Sequence, residues 1–172
     1  RMPSGEVRGF DVKTGRLLWT WDPIPQSQTG GGNAWSIITA DEKRGIVYVP
    51  TGSASPDYYG GKRKAPNHAN SVVALEAKTG KMLWSFQTVH HDLWDYDVAV
   101  GSKTGHLFLL NRITGKPIFG VEERAVPQSD AEGEEASPTQ PFPVKPPSLS
   151  PHRVEFIDEC KDLVGKYRDE GI

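Results

Sequence analysis

Three segments of this chain are copies of one short pattern. They are Arg8-Gly9-Phe10-Asp11-Val12-Lys13-Thr14-Gly15-Arg16-Leu17-Leu18-Trp19, Val73-Ala74-Leu75-Glu76-Ala77-Lys78-Thr79-Gly80-Lys81-Met82-Leu83-Trp84 and Phe108-Leu109-Leu110-Asn111-Arg112-Ile113-Thr114-Gly115-Lys116-Pro117-Ile118-Phe119. Each reads as a strand, a polar turn closed by Thr-Gly, and a second strand ending in a large aromatic. A unit this small cannot bury its own face and must stack on copies of itself. The glycine permits the positive φ of a tight turn. The aromatic supplies apolar surface to wedge between neighbouring sheets. The pattern predicts an all-β chain of antiparallel, four-stranded β-propeller blades, with Trp19 and Trp84 buried between sheets.

Composition narrows the reading further. At 172 residues the length suits one domain, and 18 Gly with 14 Pro favour turns over long helices. A net charge of -2 gives no electrostatic case for a nucleic-acid partner. The single cysteine, Cys160, excludes an internal disulfide and leaves the redox compartment open. No apolar run is long enough to cross a membrane as a helix. The chain begins at Arg1 and reads as a piece of something longer, so the missing targeting segment carries no weight.

Along the chain, residues 1–120 read as partial propeller blades. Glu6–Phe10 pairs with Leu17–Trp21, Ile37–Thr39 with Ile46–Pro50, Ser71–Leu75 with Met82–Gln87, and His106–Leu110 with Pro117–Phe119. Residues 121–151 read as a Pro-rich, acidic loop. Residues 152–171 read as one helix of the same domain: Ser150 is its N-cap, Pro151 opens it, and Ile157, Cys160, Val164 and Tyr167 recur at helical spacing.

The densest chemistry is Thr88-Val89-His90-His91-Asp92-Leu93-Trp94-Asp95-Tyr96-Asp97. It follows a strand that closes a repeat, which places it in a loop at one end of the sheets. Carboxylates and imidazoles crowded this tightly are costly unless paired, protonated or metal-bound. The residues alone leave two readings open. One is a structural corner whose Asp side chains cap turn amides. The other is a metal or acid/base site.

This loop and the three repeats together resemble the pyrroloquinoline quinone (PQQ)-dependent dehydrogenases. His-His-Asp-Leu-Trp-Asp is most similar to the branch of membrane-bound glucose dehydrogenase and its polyol and quinate relatives. The similarity runs from Pro3-Ser4-Gly5 to Gly171. It includes Thr51-Gly52-Ser53-Ala54-Ser55-Pro56-Asp57-Tyr58-Tyr59-Gly60-Gly61 and Pro138-Thr139-Gln140-Pro141-Phe142. The resemblance implies part of an eight-bladed propeller from an enzyme that oxidises a sugar or polyol. It implies PQQ and a Ca²⁺ or Mg²⁺ ion as cofactors, membrane ubiquinone as electron acceptor, and a periplasmic location with a possible inner-membrane anchor. Asp95 matches the general base. Lys103 matches the lysine that donates to the quinone oxygens. Trp35 matches the tryptophan that floors the cofactor. Ser55 matches a metal ligand, Asp97 is a weak ligand or its neighbour, and His90 and His91 orient the loop by hydrogen bonds.

Two departures from the family stand out. Gly15 to Gly80 spans 65 residues, but Gly80 to Gly115 spans only 35, too few for a four-stranded blade of about 40–50 residues. Residues are therefore missing near 98–101. Either two strands are deleted, or the sequence joins segments that are separated in the native chain. The second is favoured, because deleting central strands exposes raw edges. The chain also supplies only about two and a half blades, which is too few to work alone. The competing class is a non-catalytic propeller of the same repeats, acting as a binding scaffold or quinone sensor. Asp95 together with Lys103 argues against it.

Overall fold

The computed structural model describes residues 3–24, 30–56, 67–91, 105–128, 133 and 135–148. These residues form eight strands and no helix: β1 (Val7–Phe10), β2 (Leu17–Trp21), β3 (Thr39–Asp41), β4 (Ile46–Thr51), β5 (Ser71–Glu76), β6 (Met82–Gln87), β7 (Val121–Ala125) and β8 (Thr139–Pro143). Strands β3 to β6 make one four-stranded antiparallel sheet in sequence order. Strands β1 and β2 pair as one hairpin, and β7 and β8 as another. The expected helix at 152–171 and the shortened stretch near 98–101 lie outside the described residues.

The three Thr-Gly turns share one backbone hydrogen-bond pattern. The amides of Gly15, Gly80 and Gly115 donate to the carbonyls of Asp11, Glu76 and Asn111, at 2.8, 2.8 and 2.7 Å. Asp11 Oδ1 accepts from the amides of Lys13 and Thr14, and Asn111 Oδ1 accepts from those of Ile113 and Thr114. Thr14, Thr79 and Thr114 then accept, through their hydroxyls, the amide two residues on. The three glycines sit at φ 69°, 72° and 71°, where a β-carbon is disfavoured.

Stacking follows from the aromatics. Val49, Val73 and Leu75 are fully buried on one face of the four-stranded sheet, covered by Val7, Trp19 and Trp21 of the first hairpin. Trp19 Nε1 donates to the Ala77 carbonyl at 2.9 Å, inside the turn of the next repeat. On the other face Trp84 Nε1 donates to the Arg112 carbonyl at 3.3 Å, and Tyr48 Oη donates to that same carbonyl at 3.0 Å. Each tryptophan therefore reaches from its own hairpin onto the glycine turn of the following one. Both rings are half-buried, not fully buried as expected, because they lie over turns at the sheet ends.

Other expectations are corrected. The third repeat keeps its turn but forms a single bridge, Leu110 to Pro117, in place of a hairpin ladder. Proline at 117 has no amide to donate. Strand β3 lies two residues later than Ile37–Thr39, because the turn begins only after Asp41, whose carbonyl accepts the Arg44 amide. Residues 121–151 are not loop throughout. Val121–Ala125 and Thr139–Pro143 pair in register from Val121↔Pro143 to Ala125↔Thr139. Proline is tolerated there because β8 has no partner on its second edge among the described residues.

Glycine at the docking turn gives a direct test. A β-carbon at Gly80 would lie 2.5 Å from the Trp19 ring, whereas one at Gly45, also at positive φ, meets nothing within 4 Å. Gly45→Ala should cost about 1–2 kcal/mol from backbone conformation alone. Gly80→Ala should cost about 1–3 kcal/mol more, from overpacking. Equal urea midpoints for the two variants would show that the indole does not bear on the turn.

Candidate functional site

The Thr-Gly turns and the β3–β4 turn occupy one end of the sheets. Strands β2, β4 and β6 finish at the opposite end, and β5 begins there. A lateral run of backbone hydrogen bonds crosses that end between the first hairpin and the four-stranded sheet. Gly5 donates to Gly31, Gly32 to Ser53, Ser55 to Gly30, Gly52 to Asn33, Asn70 to Gly52 and Thr88 to Asn70, all at 2.8–2.9 Å. Segments that are neither strand nor helix thereby satisfy their buried polar groups. Side chains complete the corner. Asn70 Nδ2 donates to Ser53 Oγ at 3.1 Å, the Ser71 amide donates to Thr51 Oγ1 at 3.0 Å, and Thr88 Oγ1 donates to the Asn70 carbonyl at 3.1 Å.

Gly31 is the pivot of this corner. It bridges both Ser4 and Ala54 and sits at φ 79°. A β-carbon there would stand 2.7 Å from the Ser55 amide nitrogen and 2.9 Å from both the Ser53 carbonyl oxygen and Ser55 Oγ. Two of these are backbone atoms, which cannot rotate away. Only glycine lets the 30–33 segment approach the 52–55 segment this closely.

Of the residues expected to form the site, two are described. Ser55 is buried at 8 % exposure, with its amide held by Gly30. Trp35 follows the Ala34↔Thr51 bridge, and its amide donates to the Pro50 carbonyl at 3.2 Å. Trp35 is 66 % exposed. Both therefore belong to the same end of the sheets, at opposite ends of the pairing between residues 30–35 and 50–55. Asp95, Asp97 and Lys103 lie outside the described residues.

The start of the acidic loop is described through His91, and it leaves β6 at this same end. Val89 is buried. His90 is held on every side. Its Nδ1 lies 2.9 Å from Gln87 Oε1 and its Nε2 3.1 Å from Glu123 Oε1. Its amide donates to Gln140 Oε1 and its carbonyl accepts from Gln140 Nε2, both at 2.7 Å. Sequence reading missed Gln140 as a partner, because 50 residues separate it from His90 and no local pattern links them. The Gly31 contact was equally invisible, since one glycine in Gly30-Gly31-Gly32 looks like the next.

A second histidine packs beside the first hairpin, its amide donating to the Pro23 carbonyl. The His68 ring sits 6.0 Å from the Trp21 ring, and its carbonyl accepts from Thr51 Oγ1. Burial lowers the His68 imidazole below its ordinary value of 6.5.

A flat, exposed indole at Trp35 and a neutral oxygen donor at Ser55 fit a planar ligand and a hard cation respectively. Among the described residues no cluster of three or more His, Cys, Asp or Glu side chains could hold a metal. Any cation would draw its carboxylates from elsewhere.

Antiparallel sheets stacked through Trp-on-turn contacts, with a polar loop corner at one end, define the chain as part of a β-propeller. Residues 1–164 match the sequence profile of the PQQ glucose/ethanol/alcohol dehydrogenase β-propeller domain. The chain belongs to that family. It is 42% identical to quinoprotein glucose dehydrogenase A of Acinetobacter calcoaceticus over 178 residues, covering 81% of this chain and 22% of that protein. It is 39% identical to the glycerol dehydrogenase large subunit of Gluconobacter oxydans over 181 residues, covering 86% of this chain and 24% of that one. The chain thus spans under a quarter of these relatives' length. Each match is longer than the part of this chain it covers, so the relatives carry residues inside the matched span that this chain lacks. The crystal structure of quinohemoprotein alcohol dehydrogenase from Comamonas testosteroni superposes with a TM-score of 0.60 at 24% identity, covering 83% of this chain and 28% of that one. It shares the fold.

Two measurements follow. Gly31→Ala should destabilise the protein by about 3 kcal/mol or more, combining overpacking with a strained φ, as read by urea unfolding. For His68, the unfolded imidazole binds a proton at higher pH than the folded one. This contribution to stability is therefore complete above pH 6.5 and lost as pH falls below it. The urea midpoint should drop between pH 7.5 and 5.5, and His68→Gln should flatten that slope. An unchanged slope would remove His68 from the pH response.

Proposed function

We propose that the protein to which this chain belongs oxidises a sugar or polyol, glucose-like in shape, in a PQQ-dependent reaction. The reading is carried by family membership along residues 1–164 together with the His90–Asp97 loop, which starts at the sheet end that also bears Trp35 and Ser55. The relatives named for glucose and glycerol support the substrate class.

Oxidation of a CH–OH group removes two electrons and two protons. Bound PQQ supplies the two-electron acceptor. The residues of this chain do the rest. Asp95 accepts the hydroxyl proton as general base, and its position in a crowded acidic loop is suited to tuning a carboxylate. Lys103 would hold the cofactor by hydrogen bonds and favour negative charge on it. Trp35 offers the flat face on which the cofactor rests. Ser55 and Asp97 would contribute oxygen to a Ca²⁺ or Mg²⁺ ion, which would supply Lewis-acid stabilisation of the same charge. We place the enzyme in the periplasm, with membrane ubiquinone receiving the electrons.

The test uses the full-length protein reconstituted with PQQ and Ca²⁺ or Mg²⁺. It should reduce an artificial dye when given glucose or glycerol. Asp95→Asn should lower turnover about 10²–10⁴-fold, the range for general base catalysis, with thermal stability preserved. Lys103→Ala should weaken both cofactor retention and turnover. Near-normal turnover by Asp95→Asn would place the base elsewhere. PQQ binding without oxidation of any sugar or polyol would favour a sensor or scaffold instead.

A further inference from the structure

We propose that Gln140 is a positioning residue for the acidic loop: its carboxamide fixes the His90 backbone and so sets where the chain enters the segment bearing Asp95. The inference rests on the dehydrogenase reading above for its catalytic consequence, but not for the contact itself.

The geometry is specific. Gln140 Oε1 accepts from the His90 amide and Gln140 Nε2 donates to the His90 carbonyl, both at 2.7 Å. The side-chain amide thus replaces the peptide of a neighbouring strand, satisfying both backbone groups of one residue at a point where β6 has ended. Only a group with an acceptor and a donor at this span can do so. Glutamate keeps the acceptor and loses the donor, and methionine keeps the shape and loses both.

The carboxamide is itself braced. Gln140 precedes Pro141, which biases its backbone to the extended form that β8 uses, and it pairs with Arg124 on β7. Phe142, two residues on, meets the His106 ring edge-on at 5.0 Å and lies under the Arg124 guanidinium at 5.1 Å. Phe108 continues the contact from His106 to Phe86 on β6. Glu123 on β7 adds the contact to the His90 ring. The β7–β8 hairpin therefore holds the loop root from outside while β6 holds it from within. His91, immediately after the clamp, sits at φ 42°. A non-glycine residue persists there when its surroundings over-determine the backbone. Asp95 follows four residues later, and displacing a catalytic group by about 1 Å can cost about 10²-fold in rate.

The experiment uses the full-length protein with PQQ and Ca²⁺, comparing wild type with Gln140→Met and Gln140→Glu. Amide hydrogen exchange is read over Thr88–His91 and over β5, alongside kcat, KM and PQQ content with glucose or glycerol. Gln140→Met should speed exchange at Thr88–His91 while β5 keeps its protection. It should lower kcat by about 10²-fold with KM and PQQ content nearly unchanged. Gln140→Glu should fall between the two and decides the matter if Gln140→Met does not fold. Unchanged exchange and kcat would overturn the proposal. So would a joint fall in kcat, PQQ content and β5 protection, which is the mark of a general structural role. A wild-type protein that oxidises no sugar or polyol would sink the dehydrogenase reading alone, since the exchange arm still tests the clamp.

Discussion

Everything in this structure hangs on an indole resting against a glycine turn. Trp19 projects beyond its own hairpin and docks on Gly80, with its N–H on the Ala77 carbonyl. Trp84 repeats the contact on Gly115 and the Arg112 carbonyl. The hydrogen bond is worth about 1 kcal/mol, and the covered face of the ring adds more. The geometric effect matters more than either energy. Each contact fixes one sheet against the next at its turn end, so the opposite ends are brought to a defined spacing.

That spacing is what the polar corner needs. Residues 30–33 and 52–55 approach so closely that Gly31 has no room for a side chain. The exchange of backbone hydrogen bonds across the gap then satisfies segments that no sheet pairs. The arrangement separates duties along each blade. One end docks through the tryptophans, and the other carries loops whose backbone is fixed by hydrogen bonds across the corner. Trp35 and Ser55 stand at the second end, and the acidic loop starts there.

The β7–β8 hairpin shows how a Pro-rich stretch contributes order. Its strands are short, and prolines at 141 and 143 leave β8 fit only for an edge. Its contribution lies in what it touches. Phe142 seats it against the His106 ring, the Arg124 guanidinium braces Phe142 from within the hairpin, and Gln140 with Glu123 grips His90. A segment read from composition as a Pro-rich, acidic loop is therefore part of the wall around the loop root.

How much of this was legible in sequence depended on range. The Thr-Gly turns were readable because every hydrogen bond in them spans a few residues, so Asp11, Thr14 and Gly15 carry their own geometry wherever they occur. The all-β class of the described residues and the start of the acidic segment at the end of β6 followed from the same local rules. Residue types alone could not decide how deeply Trp19 and Trp84 are buried, that Pro117 would cost the third hairpin its ladder, or that Val121–Ala125 finds Thr139–Pro143 across an acidic loop. Sequence likewise could not single out Gly31 from its neighbours or join Gln140 to His90 across 50 residues. Local chemistry was written in the chain because turns and strands close over short spans. The site's framework was decided only by tertiary structure, because its contacts join segments that nothing but the stacking of sheets brings together.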